Sequence, residues 1–355
     1  MSRVLWLDDL EPHDATARVG PKLGRLAELS AVGVEVPRGF AVTASACAEH
    51  EGAAGLTDVL AAALGRLDGT PAPLEVSALA RDLHAHYLSC PVEPAVAAEV
   101  EAAYRELVAQ VRDDVVAVRS SALGEDAREA SFAGVFDSYL GLRGATDVVA
   151  AVRECWASRF SARALTYQLR RPWAAAQWMP MAVGVLELLP AYSSGVAFSA
   201  HPTTGARDRI VVEGTFGWGE AVVQGLVTPD RAELDAQDGR LLRYGVADKA
   251  VLSTLAPGGA GMVAVPMPGA RRSEAVLDPG TLRAVGDVVR TIDQFYGHPV
   301  DVEWVVTQGP PRRCVVVQAR PVTISGPVQL PVWDPVDAAM RYAFGATRSP
   351  DGWVR

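Results

Sequence analysis

The chain has 355 residues and a formal net charge of -9, with 49% hydrophobic and 21% charged residues. A chain of this length exceeds the usual size of a single core, so two lobes with a cleft between them are expected. The composition excludes a disordered protein, and the negative charge without a long basic stretch excludes a nucleic-acid-binding protein.

The sequence also lacks the features of membrane, secreted and zinc-binding proteins. No apolar run reaches the roughly 18 residues that span a bilayer, and the start MSRVLWLDDLEPHD is too acidic for a signal peptide. A cytoplasmic protein without membrane contact is therefore predicted. The cysteines have no CxxC spacing, which favours buried free thiols over disulfides or zinc ligands. They are Cys47, Cys90, Cys155 and Cys314.

Helical periodicity dominates the first half of the chain, and short β-branched runs dominate the second. Helices are expected at residues 23–32, 147–170 and 279–296, and a helical region at 55–112 with breaks at 69–73 and 91–94. Extended segments or strands are expected at 34–43, 115–118, 181–189, 196–198, 210–212, 222–223, 300–306 and 314–317, and a loop rich in Gly and Pro at 257–268. The predicted division is a helix-rich lobe over 1–186, a sheet-rich lobe over 187–325 and a tail over 326–355.

The first candidate for chemistry is Gly20-Pro21-Lys22, which directly precedes the helix predicted from residue 23. A lysine at a helix start opposes the helix dipole, and a phosphate shared with the helix amides would explain its position. The alternative is a solvated surface lysine after a plain Gly-Pro turn.

The second candidate is VAVRSSALGED, where a buried strand ends in Arg119 and two serines. An arginine at the carboxyl end of a strand points a rigid fork of donors into the crevice where ligands bind. Downstream, the stretch from Ser131 to Gly134 and the glycines of 214–219 either offer backbone amides to phosphate or serve only as turns. The alternative for the arginine is a structural salt bridge to Asp114, Glu125 or Asp126.

The strongest constellation is the pair of segments VDVEWVV and VVVQARPVT, separated by a Gln-Gly-Pro-Pro reversal at 308–311. The two segments are expected to be antiparallel neighbours. Counting outward from the turn centre places Glu303 opposite Gln318 and Asp301 opposite Arg320, with all four side chains on one face. The residues expected on the other face are Val302, Trp304, Val317 and Ala319.

Four polar side chains on one face of an apolar hairpin are costly to bury without partners. A magnesium ion would satisfy them, because it binds one or two carboxylates together with phosphate oxygens, while arginine neutralises charge on a transferring phosphoryl group. The alternative is a buried structural pair between Asp301 and Arg320, with Glu303 solvated. No Walker sequence and no GxGxxG is present, so neither a P-loop nor a dinucleotide fold is predicted.

Taken together and in this order, the segments resemble the ATP-binding domain of the family of phosphoenolpyruvate synthase, pyruvate phosphate dikinase and rifampicin phosphotransferase. The matching stretches cover most of residues 17–325 and are VGPKLGRLAELSAVGVEVPRGFAVT, VAVRSSALGEDAREASFAGVFDSYL, SGVAFSAHPTTG, VEGTFGWGEAVVQGLVTPD, and VDVEWVV with VVVQARPVT. Each motif alone is modest, and the shared order and spacing make the resemblance specific. It implies an α+β, ATP-grasp-like fold that holds ATP and Mg2+ in the cleft between two lobes.

The resemblance also implies roles for individual residues. In this family ATP yields AMP and inorganic phosphate, and the second phosphoryl group passes to a histidine on a mobile domain and then to the final acceptor. The residues implied for phosphate contact and catalysis are Lys22, Arg119 and Arg320. Those implied for Mg2+ are Glu303 and Gln318, supported by Asp301. Further candidates for nucleotide binding are Ser131, Gly134 and Glu213.

Several departures from the family pattern affect these expectations. Gly20-Pro21 replaces paired glycines, Leu186 replaces a glutamine that contacts adenine, and His201 stands where aspartate is common. No segment resembles the Gly-Thr-Ser-His stretch of the phosphohistidine, and the chain ends where that domain would begin. A separate partner subunit with that histidine is therefore expected, forming a hetero-oligomer similar to phenylphosphate synthase and the cresol-phosphorylating enzymes. The final acceptor would be a phenol, another alcohol or pyruvate.

Three functions follow from the sequence as alternatives. The first is the ATP-binding subunit of a split dikinase-type phosphotransferase, which has no net turnover alone. The second is a self-sufficient ATP-grasp kinase or ligase that acts on a small molecule and releases ADP. The third is a regulatory nucleotide-binding module without catalytic activity, for which Pro21 and Leu186 are the indications.

Overall fold

The computed structural model describes residues 2–65, 72–123, 135–169, 180–223, 225–257 and 261–322. Helices and antiparallel sheets both contribute, so the fold is α+β, as predicted. The helices are α1 (Pro12–Ala31), α2 (Ala44–Ala53), α3 (Leu56–Leu64), α4 (Pro73–Ser89), α5 (Pro94–Gln110), α6 (Ala145–Ala157), α7 (Ala162–Leu169), α8 (Glu220–Val223) and α9 (Pro279–Tyr296). The strands are β1 (Val4–Trp6), β2 (Gly39–Val42), β3 (Val116–Ala122), β4 (Ser138–Leu142), β5 (Met181–Glu187), β6 (Ala191–Phe198), β7 (Arg209–Phe216), β8 (Asp230–Asp235), β9 (Leu241–Gly245), β10 (Val251–Leu255), β11 (Met262–Pro266), β12 (Val300–Thr307) and β13 (Cys314–Pro321).

The first sheet has the strand order β1-β2-β5-β3-β4, and its neighbouring strands are antiparallel. Its central strand, β5, is buried on both faces, which explains the nearly continuous apolar sequence of this strand. Val183 and Val185 of β5 belong to a core formed with α2, α4, α5 and α6, whereas Ala182 and Leu186 pack in a second core with α1. The sheet is therefore fixed between α1 and a layer of helices.

Helix α1 is interrupted at Gly20, whose φ of 76° and ψ of 165° are not helical, and it resumes at Pro21. The resumed part corresponds to the helix predicted from residue 23. It packs against β3 and β5 of the first sheet and against β13 of the second. Helix α1 therefore contacts strands of both sheets, β3 through Lys22 and β13 through Arg25.

The second sheet has the strand order β13-β12-β6-β7-β8-β9, again with antiparallel neighbours. Helix α9 covers one face through Leu282, Val285, Val289 and Ile292, which recur at helical spacing. Asp278 caps this helix by accepting a 2.8 Å hydrogen bond from the amide of Thr281. The predicted helix at 279–296 is confirmed.

Several predictions of secondary structure are wrong. Residues 222–223 lie in α8 rather than in a strand, and the predicted loop at 257–268 contains β11, which pairs with β10. Of the cysteines predicted to be buried, Cys47 and Cys155 are buried, whereas Cys90 and Cys314 are partly exposed.

The chain passes from the first sheet to the second between Glu187 and Ala191. The domain division at residue 186 stays a prediction, and the predicted tail at 326–355 lies outside the described residues. No helix in the described part of the chain is long and apolar enough to cross a bilayer.

Candidate functional site

The hairpin of β12 and β13 has the register that the sequence predicted at its polar end. Glu303 lies opposite Gln318, and Asp301 lies opposite Arg320. Directly opposed residues share one face of an antiparallel pair, and residues two apart on a strand also share it. The four polar side chains therefore project to one side, away from the core that packs on α9.

A β-bulge between Glu303 and Trp304 shifts the register on the turn side, where Trp304 pairs with Val316. Val302, Trp304 and Ala319 lie in the core on α9, as predicted. The prediction for Val317 is wrong, because this extra residue instead packs with Val305 and its neighbours in a separate small cluster. The bulge therefore changes the face of one residue and leaves the polar pairs in place.

Arg119 of β3 reaches from the first sheet to this hairpin. Its Nη2 donates to Oε1 of Gln318 at 2.9 Å and to Oε2 of Glu303 at 3.2 Å, and its Nη1 donates to the carbonyl of Val317 at 2.9 Å. Among the rival acids, Asp114 pairs with Arg143 instead. The other two rivals, at positions 125 and 126, lie outside the described residues. The two sheets thus meet at a guanidinium between a carboxylate and an amide.

Lys22 lies beside the same strand, because its Nζ donates to the carbonyl of Ser120 at 3.3 Å. The preceding turn approaches β3 very closely: a Cβ added at Gly20 would lie 2.5 Å from the carbonyl oxygen of Ser121. The Oγ of Ser121 also accepts the amide of Leu23 at 3.4 Å. The Gly-Pro segment is therefore a contact with the first sheet, and the alternative of a plain surface turn is not supported.

The second acid of β12 is also paired with an arginine. Nε of Arg320 donates to Oδ2 of Asp301 at 2.6 Å, and the Asp301 side chain is 9% exposed. This pair agrees with the structural alternative, but Glu303 is bonded to Arg119 rather than simply solvated. Arg25, one turn after Lys22 on α1, adds a further cation, with its Nη1 3.5 Å from the carbonyl of Ala319.

Glu213 of β7 lies on the same face of the second sheet. It stands opposite Val196, which in turn stands opposite Glu303. Arg231, its neighbour on β8, donates to Oε1 of Glu213 at 2.7 Å and contacts Nε2 of His201 at 3.2 Å. The sequence did not indicate Arg231, because only the pairing register of β7 and β8 reveals it.

A profile described as "Pyruvate phosphate dikinase, AMP/ATP-binding domain" matches residues 16–330. The chain belongs to this family. It is 38% identical over 327 residues to a probable phosphoenolpyruvate synthase of Methanothermobacter thermautotrophicus, covering 91% of this chain and 46% of that protein. It is 33% identical to a second probable phosphoenolpyruvate synthase, from Archaeoglobus fulgidus, covering 90% of this chain and 41% of that one. It is 32% identical to a phosphoenolpyruvate synthase of Pseudomonas aeruginosa, covering 90% of this chain and 42% of that protein.

The chain thus spans less than half the length of these relatives. The region that matches the pyruvate phosphate dikinase ATP-binding family contains Lys22, Arg119 and the polar residues of the hairpin. Leu186 is 2% exposed and packs against α1, so its side chain belongs to the apolar core rather than to this cluster. Two further candidates, Ser131 and Gly134, lie outside the described residues.

The side-chain oxygens of Glu303 and Gln318 in the hairpin are suitable ligands for a divalent cation that prefers oxygen, such as Mg2+. Glu303 and Gln318 present oxygens close enough for one cationic group, that of Arg119, to bond both. Within the described ranges, no group of three or more His, Cys, Asp or Glu side chains could hold a metal ion. Mg2+ is commonly held by one or two carboxylates and completed by substrate phosphates and water.

Proposed function

We propose that this chain is the ATP-binding catalytic subunit of a split dikinase-type phosphotransferase. In the proposed reaction ATP is cleaved to AMP and inorganic phosphate, and the second phosphoryl group goes to a histidine of a separate partner subunit. The partner passes it to a small acceptor, which is a phenol or cresol, another alcohol, or pyruvate. The reaction takes place in the cytoplasm, without nucleic acid or membrane.

One observation carries the proposal: Arg119 of the first sheet bonds both Glu303 and Gln318 of the second. These partners lie 184 and 199 residues further along the chain, yet they meet at one place. A triphosphate requires cations for its oxygens and a metal ion for its charge. This cluster contains a cationic side chain for the oxygens, together with the carboxylate and amide oxygens that would hold the metal ion.

Each side chain has a role that suits its chemistry. Arg119 and Arg320 present forked donors that bind phosphate oxygens in pairs, and Lys22 adds a point charge at the start of a helix. Glu303 and Gln318 would hold Mg2+, which neutralises charge on the phosphates when it is bound. Turnover therefore requires all five groups, two from the side of the first sheet and three from the hairpin of the second.

Four of the six histidines do not suit the role of phosphoryl acceptor. His50 is fully buried and stacks on Trp156, and His201 is bonded to backbone amides and to Arg231. Helix α4, which contains two more, packs on the side of the first sheet opposite α1. We therefore assign the acceptor histidine to the partner.

The test is a transfer assay with ATP labelled on its second phosphate. The purified chain is incubated with a candidate partner that contains a Gly-Thr-Ser-His segment, and label on the partner's histidine is measured together with AMP. We expect Arg119→Met and Glu303→Gln to reduce transfer by about 100-fold or more. The control Arg313→Met removes only an exposed pair with Glu35 and should transfer normally.

The products distinguish the alternatives. Release of ADP by the chain alone would identify a self-sufficient kinase or ligase. Normal ATP binding without turnover, whichever partner is added, would identify a regulatory module. If Arg119→Met transferred label as fast as the unmodified chain, the cluster would not be the catalytic site.

A further inference from the structure

The guanidinium of Arg119 lies where the proposed metal ligands converge. Its Nη2 bonds Oε2 of Glu303 at 3.2 Å and Oε1 of Gln318 at 2.9 Å, so one cationic group contacts both oxygens. We propose that Arg119 occupies this position in place of the metal ion until a nucleotide binds, so that nucleotide and metal bind together. The inference rests on the proposed function in assigning these two residues to the metal.

The charge of the site supports this order. Lys22, Arg119 and Arg320 outnumber the two carboxylates of Asp301 and Glu303 by one positive charge, and Arg25 lies nearby. A divalent cation alone would enter a site that is already positive and would have to displace a guanidinium. A triphosphate removes this repulsion of the metal ion, because its negative charges attract the arginines and its oxygens supply further metal ligands.

Hydrogen bonds hold the guanidinium of Arg119 in place, and the partial exposure of its side chain allows a ligand to displace it. Its Nη1 makes a third bond, to the carbonyl of Val317 at 2.9 Å, which fixes the guanidinium over the hairpin. The side chains of Arg119 and Glu303 are 21% and 20% exposed, so a ligand can reach them. Phosphate accepts two parallel bonds from arginine, so it can replace the bonds that Arg119 gives up.

This arrangement makes the binding of metal and nucleotide cooperative. Withdrawal of Arg119 by phosphate frees the oxygens of Glu303 and Gln318, so nucleotide raises metal affinity. By linkage, the metal raises nucleotide affinity by the same factor. The nucleotide-free chain should therefore bind divalent cations weakly, although it contains their ligands.

The test measures Mn2+ binding to the nucleotide-free chain by electron paramagnetic resonance. Arg119→Met removes the guanidinium and keeps an unbranched apolar stem. It should bind Mn2+ about tenfold or more tightly than the unmodified chain, within the usual range of coupling between sites. The matched control Arg25→Met removes a nearby positive charge and leaves both oxygens bonded to Arg119. It should change Mn2+ affinity by about threefold at most.

Equal Mn2+ affinity in Arg119→Met and the unmodified chain overturns the inference. So does an equal gain in Arg25→Met, because charge alone would then explain the effect. Adding Glu303→Gln to Arg119→Met must abolish the gain, and its persistence would place the ion elsewhere. Thermal unfolding of each variant detects misfolding, and Arg119→Gln provides a second replacement.

The readout is independent of turnover, so the two proposals can fail separately. Transfer of label to a partner histidine, with no gain of Mn2+ affinity in Arg119→Met, would refute only the inference. A clear gain, with no transfer under any condition, would refute the proposed function and leave the displacement of Arg119 standing.

Discussion

Gly20 provides a test of how the segment before Lys22 is held against β3. Its φ of 76° and ψ of 165° lie in a region that only glycine adopts readily. A methyl group at this position would lie 2.5 Å from both the O and the Oγ of Ser121. Gly20→Ala therefore combines a backbone penalty of about 1–3 kcal/mol with an overpacking penalty of about 1–3 kcal/mol.

The matched control is Gly33→Ala at the end of the same helix. Gly33 has a φ of 82°, but a methyl group there would have no heavy atom within 4 Å, so only the backbone penalty applies. In denaturant titrations we expect the free energy of unfolding to fall by about 1–3 kcal/mol for Gly33→Ala and by about 2–6 kcal/mol for Gly20→Ala.

Relaxation of the segment would displace Lys22, so part of the loss in Gly20→Ala should appear as weaker binding of a non-hydrolysable ATP analogue in calorimetry. Gly33→Ala should bind this analogue normally, because it lies at the other end of the helix. Equal stability and equal analogue affinity in the two variants would refute the reasoning.

Three further predictions concern buried polar groups. Lys249 is fully buried and bonds Asp230 at 2.6 Å, so Lys249→Met should lower the free energy of unfolding by about 3–5 kcal/mol. The exposed Arg272 is its control, and Arg272→Met should cost under about 1 kcal/mol. Burial lowers the pKa of His50, so the unfolded state binds more protons and stability should fall as the pH drops below about 6.5. His50→Phe should flatten this dependence in unfolding titrations between about pH 7.5 and about 5.5. Burial also raises the pKa of Cys47 to about 12, so a thiol reagent should modify it only after unfolding, as peptide mapping can show.

The elements that the sequence predicted well have signals close together in the chain. For α9, Asp278 caps the start, Pro279 occupies the first turn, and Gly297 ends the helix with a φ of 68°. The apolar spacing between these residues then fixes which face is buried. All of these signals lie within one helix length, so no knowledge of the tertiary structure is needed.

The errors lie where pairing with another strand, rather than the residues of the segment itself, determines the structure. β8 has the sequence DRAELD, in which buried and partly exposed residues alternate, and composition alone did not reveal it because the first buried residue is an aspartate. β11 lies in a segment rich in Gly and Pro and is stabilised by pairing with β10. The sequence likewise indicated that Arg119 contacts phosphate, but it did not predict the bond between Arg119 and Glu303, which lies 184 residues away.

The bulge in β13 shows why a correct prediction at the site did not need a correct prediction at the turn. Next to the turn, Val306 pairs with Cys314. If this register continued without a bulge, Val317 would lie opposite Glu303, and the side chain of Gln318 would point toward the core. The bulge absorbs Val317 and restores Gln318 to the polar face. The same residue, Val317, presents its carbonyl to Arg119. One extra residue in the strand thus aligns the proposed metal ligands and anchors the arginine that pairs with them. Counting residues outward from the turn gave the polar pairs correctly, but it could not reveal the bulge.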